Sequence, residues 1–113
     1  MKKKALIICA AGMSSSLIAK KVTEFFEGKN LPIELDATTV SLASGIIDRD
    51  EFDLYLLSPQ AKMNYDKLKA QTDSKGKKLE NIPPTSYVPT ETGITSLAKQ
   101  VFIEFRDELK ASK

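Results

Sequence analysis

The sequence predicts an α/β fold, a four-stranded parallel sheet with helices on both faces, doubly wound. Three observations predict it. Apolar runs alternate with amphipathic helical stretches along the whole chain, in the order strand–helix repeated to the end. The first run, Ala5-Leu6-Ile7-Ile8, has no polar partner positions, as expected of a strand covered on both faces. The length, 113 residues, suits one domain around a single modest core, so residues 1–113 are read as one unit.

The elements follow in order. Lys4 to Cys9 is a fully buried strand. Ser14 to about Gly28 is a helix whose Ile18, Val22, Phe25 and Phe26 fall on one face, with a serine able to cap its start. Gly28 and Asn30 are stop signals. Pro32 to Thr38 is a weaker second strand, Ile33 and Leu35 alternating with Glu34 and Asp36. Val40 to Ile47 has room for one or two helical turns. Phe52 to Ser58 is a third strand, central in the sheet, ended by Pro59. Ala61 to about Gln71 is a helix with a thin apolar face of Tyr65 and Leu68. Ser74-Lys75-Gly76 is a turn, and Lys78 to Ile82 a short fourth strand. Pro83-Pro84 breaks the pattern, and a polar loop runs to Thr92. Gly93 to Leu109 is the clearest helix, with Ile94, Leu97, Ala98, Val101, Phe102, Phe105 and Leu109 at helical spacing.

Composition excludes several classes of function. The chain is 42% apolar and 28% charged with a net charge of +2, ordinary for a soluble protein. Lysine and arginine are spread along it, which does not argue for a nucleic-acid partner; Lys2-Lys3-Lys4 reads as the solvated flank of the first strand. There is no histidine, which removes His-based metal sites and Ser-His or Cys-His catalysis. No metal or other cofactor is expected. The one cysteine excludes an internal disulfide and a CxxC redox pair. Basic residues before Ala5–Cys9 have the outline of a secretory or lipoprotein signal, but the apolar stretch is too short and bulky Ile8 stands where cleavage needs a small residue. No stretch approaches the ~18 apolar residues of a membrane span. A cytoplasmic domain without membrane insertion is the expectation.

Right-handed crossovers in such a sheet bring ligands to the carboxyl ends of the strands. Three segments lie there: the loop after Cys9, the Pro59-Gln60 corner, and the 83–92 loop with Tyr87. A lone cysteine ending an apolar strand is by itself a small buried hydrophobe. Its neighbours argue for chemistry. Ala10, Ala11 and Gly12 have almost no side-chain bulk, and Gly12 permits a turn that other residues resist. Met13 leads into Ser14, Ser15 and Ser16, whose hydroxyls stand beside a helix N-terminus. Together these residues would form an anion nest with a sulfur nucleophile at its base. Backbone N–H groups so arranged favour a thiolate and can hold a phosphoryl group.

The spacing resembles the Cys-x5-Arg-Ser/Thr loop of low-molecular-weight tyrosine phosphatases, whose doubly wound sheet the predicted fold also resembles. Ser15 stands where those enzymes have arginine. Arginine would grip the phosphate bidentately and stabilise developing charge. Without it, and without an evident general-acid loop, hydrolysis should be poor, and a phosphocysteine could persist.

The run from Lys4 through Cys9-Ala10-Ala11-Gly12-Met13-Ser14-Ser15-Ser16 to Leu17 more closely resembles the start of the enzyme IIB component of the phosphoenolpyruvate-dependent sugar phosphotransferase system, lactose/cellobiose (chitobiose) family. Asp53 to Gln60 resembles that family's third strand and Pro-Gln turn, and the likeness continues to Tyr87 and the helix from Gly93. The resemblance implies a phosphohistidine–sugar phosphotransferase component. Cys9 would accept a phosphoryl group from a phosphohistidine of a IIA protein. The phosphocysteine would then donate it to a sugar of cellobiose, chitobiose or β-glucoside type during uptake through a membrane IIC permease. The lack of histidine agrees with a partner-supplied phosphohistidine. Residues Ala10 to Ser16 would hold the phosphoryl oxygens, and Pro59, Gln60 and Tyr87 would border the site. Two alternatives stay open: a small cysteine-dependent phosphatase, and a non-catalytic flavodoxin-like module.

Overall fold

The computed structural model describes residues 3–10, 13–87 and 90–111, with side chains described at all of these except 13–15 and 107–111. The chain runs through β1 (Lys3–Cys9), α1 (Met13–Gly28), β2 (Ile33–Thr39), α2 (Val40–Asp48), β3 (Leu54–Leu57), a 3-10 turn (Pro59–Asn64), α3 (Tyr65–Ser74), β4 (Lys78–Asn81), a second 3-10 turn (Pro84–Ser86) and α4 (Glu91–Ala111). The four strands form one parallel sheet in the order β2-β1-β3-β4. The predicted fold class is therefore the one observed.

The strand sequences explain their places. β1 is central, and Ala5 to Ile8 are buried on both faces, which is why the run carries no alternation. β2 is an edge strand and does alternate: Ile33 and Leu35 are buried and Asp36 is exposed. Its outward Leu35 N–H is bonded instead by a helix side chain, donating to Thr23 Oγ1 at 2.9 Å, while the Thr23 hydroxyl lies 2.8 Å from the Ala19 carbonyl.

Two apolar layers flank the sheet. On one face Ala5, Ile7, Cys9, Leu54 and Leu56 pack against Ile18, Val22 and Phe26 of α1 and Leu97, Val101 and Phe105 of α4. On the other, Leu6, Ile8, Tyr55 and Leu57 meet Ala43 and Ile47 of α2 and Leu68 of α3. Each fully buried Leu or Ile contributes about 1.5–3 kcal/mol relative to exposure, before conformational entropy is counted.

Helix ends differ from the sequence reading in instructive ways. α1 begins at Met13, so the serines occupy its first turn rather than the capping position before it. It ends at Gly28, and Asn30, two residues on, takes the left-handed conformation (φ 57°). Asn30 N–H then reaches the Glu27 carbonyl and Leu31 N–H the Phe26 carbonyl, a Schellman ending. Gly28 is an ordinary helical residue. α3 ends the same way with Gly76 at φ 70°: Gly76 N–H donates to Asp73 and Lys77 N–H to Thr72.

α2 spans Val40–Asp48, about two and a half turns, one residue past the predicted Ile47. β3 is shorter than the predicted 52–58, although Asp53 N–H still donates to the Lys4 carbonyl and Ser58 N–H to that of Ile8. Pro59 opens a 3-10 turn, so α3 starts only at Tyr65 and continues to Ser74. α4 starts at Glu91, two residues before the predicted Gly93, because Thr90 caps it: Gly93 N–H donates to Thr90 Oγ1 at 3.2 Å. The apolar stripe on α4 faces the sheet as predicted, Leu109 lying outside the described side chains.

Candidate functional site

The order β2-β1-β3-β4 places the point where the winding reverses between β1 and β3. α1 covers one face after β1, and α3 covers the other after β3. The crevice of a doubly wound sheet lies at the carboxyl ends of two such strands. β1 ends there in Cys9, and β3 is followed there by Ser58.

Cys9 is buried, with 1% of its surface exposed. Its Sγ–H donates to the Thr38 carbonyl of β2 at 3.4 Å. It lies in the same apolar layer as Ile18, Tyr87 and Ile94. Ala10 is exposed. Residues 10–12 link Cys9 to Met13, so the first-turn amides of α1, which have no partner within the helix, lie close in sequence to the sulfur. The nest predicted from Ala10 to Ser16 is described only in part. Ala11 and Gly12 lie outside the described residues, as do the side chains of Met13, Ser14 and Ser15, and the Ser16 side chain is exposed.

The other predicted residues come to the same end of the sheet in different ways. Pro59 is half-buried at the first position of the 3-10 turn after β3, and Gln60 is exposed. Tyr87 follows the second 3-10 turn and is buried in the apolar layer that contains Cys9.

Ser58 stands at the same end of the sheet and was not singled out by the sequence. It is wholly buried, and its Oγ has no hydrogen-bond partner among the described residues. The signal was available: a serine directly after an apolar strand continues the strand's alternation. Thr38 was also missed, because it enters through its backbone carbonyl, to which any residue would contribute equally.

The family model described as "PTS system, Lactose/Cellobiose specific IIB subunit" matches residues 4–98. The chain belongs to this family. The match spans Cys9, the Pro59-Gln60 corner and Tyr87, and members of the family are components of a sugar phosphotransferase system. A lactose-specific EIICB component of Lactococcus lactis is 33% identical over 94 residues, 82% of this chain and 16% of that protein. One from Streptococcus mutans is 32% identical over 105 residues, 90% of this chain and 18% of that protein. The IIB chain thus spans less than a fifth of these relatives.

Among solved structures, the cellobiose-specific IIB component of Borrelia burgdorferi superposes with a TM-score of 0.71 at 25% identity, covering 95% of this chain and 94% of that one. The lactose-specific IIB domain of Streptococcus pneumoniae superposes with a TM-score of 0.71 at 19% identity, covering 92% and 97%, and shows the shared fold. No helix among the described residues is long and apolar enough to cross a membrane.

Proposed function

We propose that this IIB chain is a phosphoryl relay in which Cys9 is the group that carries the phosphoryl. The observation that carries this reading is the position of Cys9. The chain's one thiol ends a central strand at the crevice, followed at once by the small-residue segment and the N-terminus of α1. The Cys9 thiolate attacks the phosphorus of a phosphohistidine on a IIA protein. An S–P bond forms, the P–N bond breaks, and the electron pair stays on the histidine nitrogen. A sugar hydroxyl bound by the membrane IIC permease then attacks the same phosphorus, the electron pair of the S–P bond returns to sulfur, and the hydroxyl's proton is released, one proton being enough to restore the Cys9 thiol. Backbone amides of Ala10 to Ser16 and the serine hydroxyls hold the phosphoryl oxygens, and Pro59, Gln60 and Tyr87 border them.

The thiol's burial adds a requirement. With 1% of Cys9 exposed, an incoming phosphorus must displace local structure to reach it. The Sγ–H bond to the Thr38 carbonyl must also be given up, since a thiolate has no proton to donate. Residues 1–113 act in this reading as one IIB domain at the cytoplasmic side, with no nucleic-acid partner. The cargo is a disaccharide of the lactose, cellobiose or chitobiose kind; the relatives' lactose names support the first and the Borrelia structure's name the second.

Incubation with a phosphorylated IIA protein tests the reading. Intact-mass analysis should find one added phosphoryl group, and peptide mapping should place it on Cys9. Label on any other residue would overturn the assignment. Steady turnover of an aryl phosphate would favour the phosphatase alternative, against which Ser15 stands in the arginine's place. A panel of lactose, cellobiose and chitobiose with matching permeases decides the cargo.

A further inference from the structure

Burying a hydroxyl without a hydrogen bond costs about 1–3 kcal/mol. Such a group in a native fold calls for an explanation. Ser58 is 0% exposed, and its Oγ has no partner among the described residues. Its backbone locates the side chain. Ser58 is extended (φ −68°, ψ 156°), and its N–H donates to the Ile8 carbonyl at 2.9 Å, so it continues β3 past the paired residues Ile8 and Leu57. Side chains alternate along a strand. Leu54 and Leu56 lie in the layer that contains Cys9, and Tyr55 and Leu57 lie in the opposite one. Ser58 therefore projects to the Cys9 side. One step beyond the Ile8–Leu57 pair, it is the neighbour of Cys9 on the β3 side, as Thr39 is on the β2 side, and neighbouring strands run about 4.8 Å apart.

The resting hydrogen bonds leave a role open. The thiol uses its one proton on the Thr38 carbonyl. A thiolate loses that bond and faces the carbonyl's negative end. A donated hydrogen bond would stabilise that charge, and β3, one of the two strands beside β1, offers a hydroxyl proton with no acceptor among the described residues.

We propose that the Ser58 hydroxyl is a further catalytic residue of this site, donating a hydrogen bond to the Cys9 sulfur whenever that sulfur is a thiolate. It does so before the sulfur attacks phosphorus and again when the S–P bond breaks and its electron pair returns to sulfur. No covalent bond to Ser58 forms or breaks. The part this plays in transfer rests on the Cys9 relay; the hydrogen bond itself does not.

The experiment follows thiolate ultraviolet absorbance through a pH titration of the full chain, with Cys9→Ser as the blank. A hydrogen bond to a charged group is worth enough that Ser58→Ala should move the midpoint upward by about one pH unit. Ser58→Thr, which keeps the hydroxyl, should bring it back. The Ala variant removes an unsatisfied buried group, so its melting temperature should match or exceed that of the parent, which separates the effect from damage to the fold. An unchanged midpoint in Ser58→Ala overturns the proposal. Phosphorylation of the parent protein by phosphorylated IIA, mapped by mass, separates the two readings. Label away from Cys9 removes the role in transfer, while the titration still decides the hydrogen bond.

Discussion

The two faces of the sheet are built differently. The face carrying Cys9 is covered by the longest helices, α1 and α4, and its apolar layer runs without a break from Phe105 and Phe26 to Tyr87. The opposite face is covered by the short helices α2 and α3, and its apolar layer is smaller. There polar links supplement packing: Gln71 Nε2 donates to the Ser44 carbonyl at 2.7 Å and to Asp48 Oδ1 at 3.0 Å. Thr72 is buried with its hydroxyl donating to the Lys69 carbonyl. The difference teaches that the reactive sulfur is placed over the larger apolar layer. A positioned group must be held to a fraction of an ångström, and close packing is what resists displacement.

Predictions probe this contrast, beginning with the largest effect. Cys9→Ser should abolish phosphoryl relay at only a small cost in thermal stability, because the buried serine hydroxyl can donate to the same Thr38 carbonyl. Transfer assays with a matching permease, read beside calorimetry, check both halves. Leu97→Ala on the Cys9 face should cost about 3–5 kcal/mol in denaturant unfolding, and Leu68→Ala on the other about 2–3 kcal/mol. Both side chains are essentially inaccessible, so equal losses would remove the contrast between the faces. Thr90→Ala should cost about 1 kcal/mol by exposing an amide at the start of α4. Urea titration of this variant tests whether the cap supports the Cys9 face.

The smallest effect concerns Glu80 on β4. Partial burial, aided by the nearby Glu104 and opposed by Lys78, holds its carboxyl above the ordinary carboxylate value. The fold thus binds that proton more tightly than the unfolded chain does. The resulting stability is fully present below the ordinary value and is lost as pH rises through the raised one. Glu80→Gln should flatten this decline and raise the melting temperature slightly at neutral pH, with no gain in acid. A uniform shift across pH would trace the effect to something other than ionisation.

Much of this was legible in the sequence because a few residues are decisive. The unbroken Ala5–Ile8 run pointed to a doubly covered strand, and the stripe from Ile94 to Phe105 to a packed helix. Boundaries were less legible where backbone geometry rather than side-chain pattern set them. Pro59 diverts the chain into a 3-10 turn, which delays α3 to Tyr65, and nothing in Ala61–Asn64 announces the change. Thr90 lies in a run of polar residues where a cap and a loop look alike until the Gly93 amide turns toward it. At the site, Cys9 stood out by chemistry, while the alternation that puts Ser58 on the same face gained meaning only once the register set the two strands side by side.

The Thr23 hydroxyl bonded to the Leu35 amide has a consequence of a different kind. β2 is an outer strand of a parallel sheet, and an outer strand is a template on which a foreign chain can lay down another. A side chain from α1 already occupies the outward amide at Leu35. An invading strand would have to evict it and break the attachment of the helix to gain one bond. The rim of the sheet is in this way closed to further growth at Leu35, and the protein is protected there against assembling with copies of itself edge to edge.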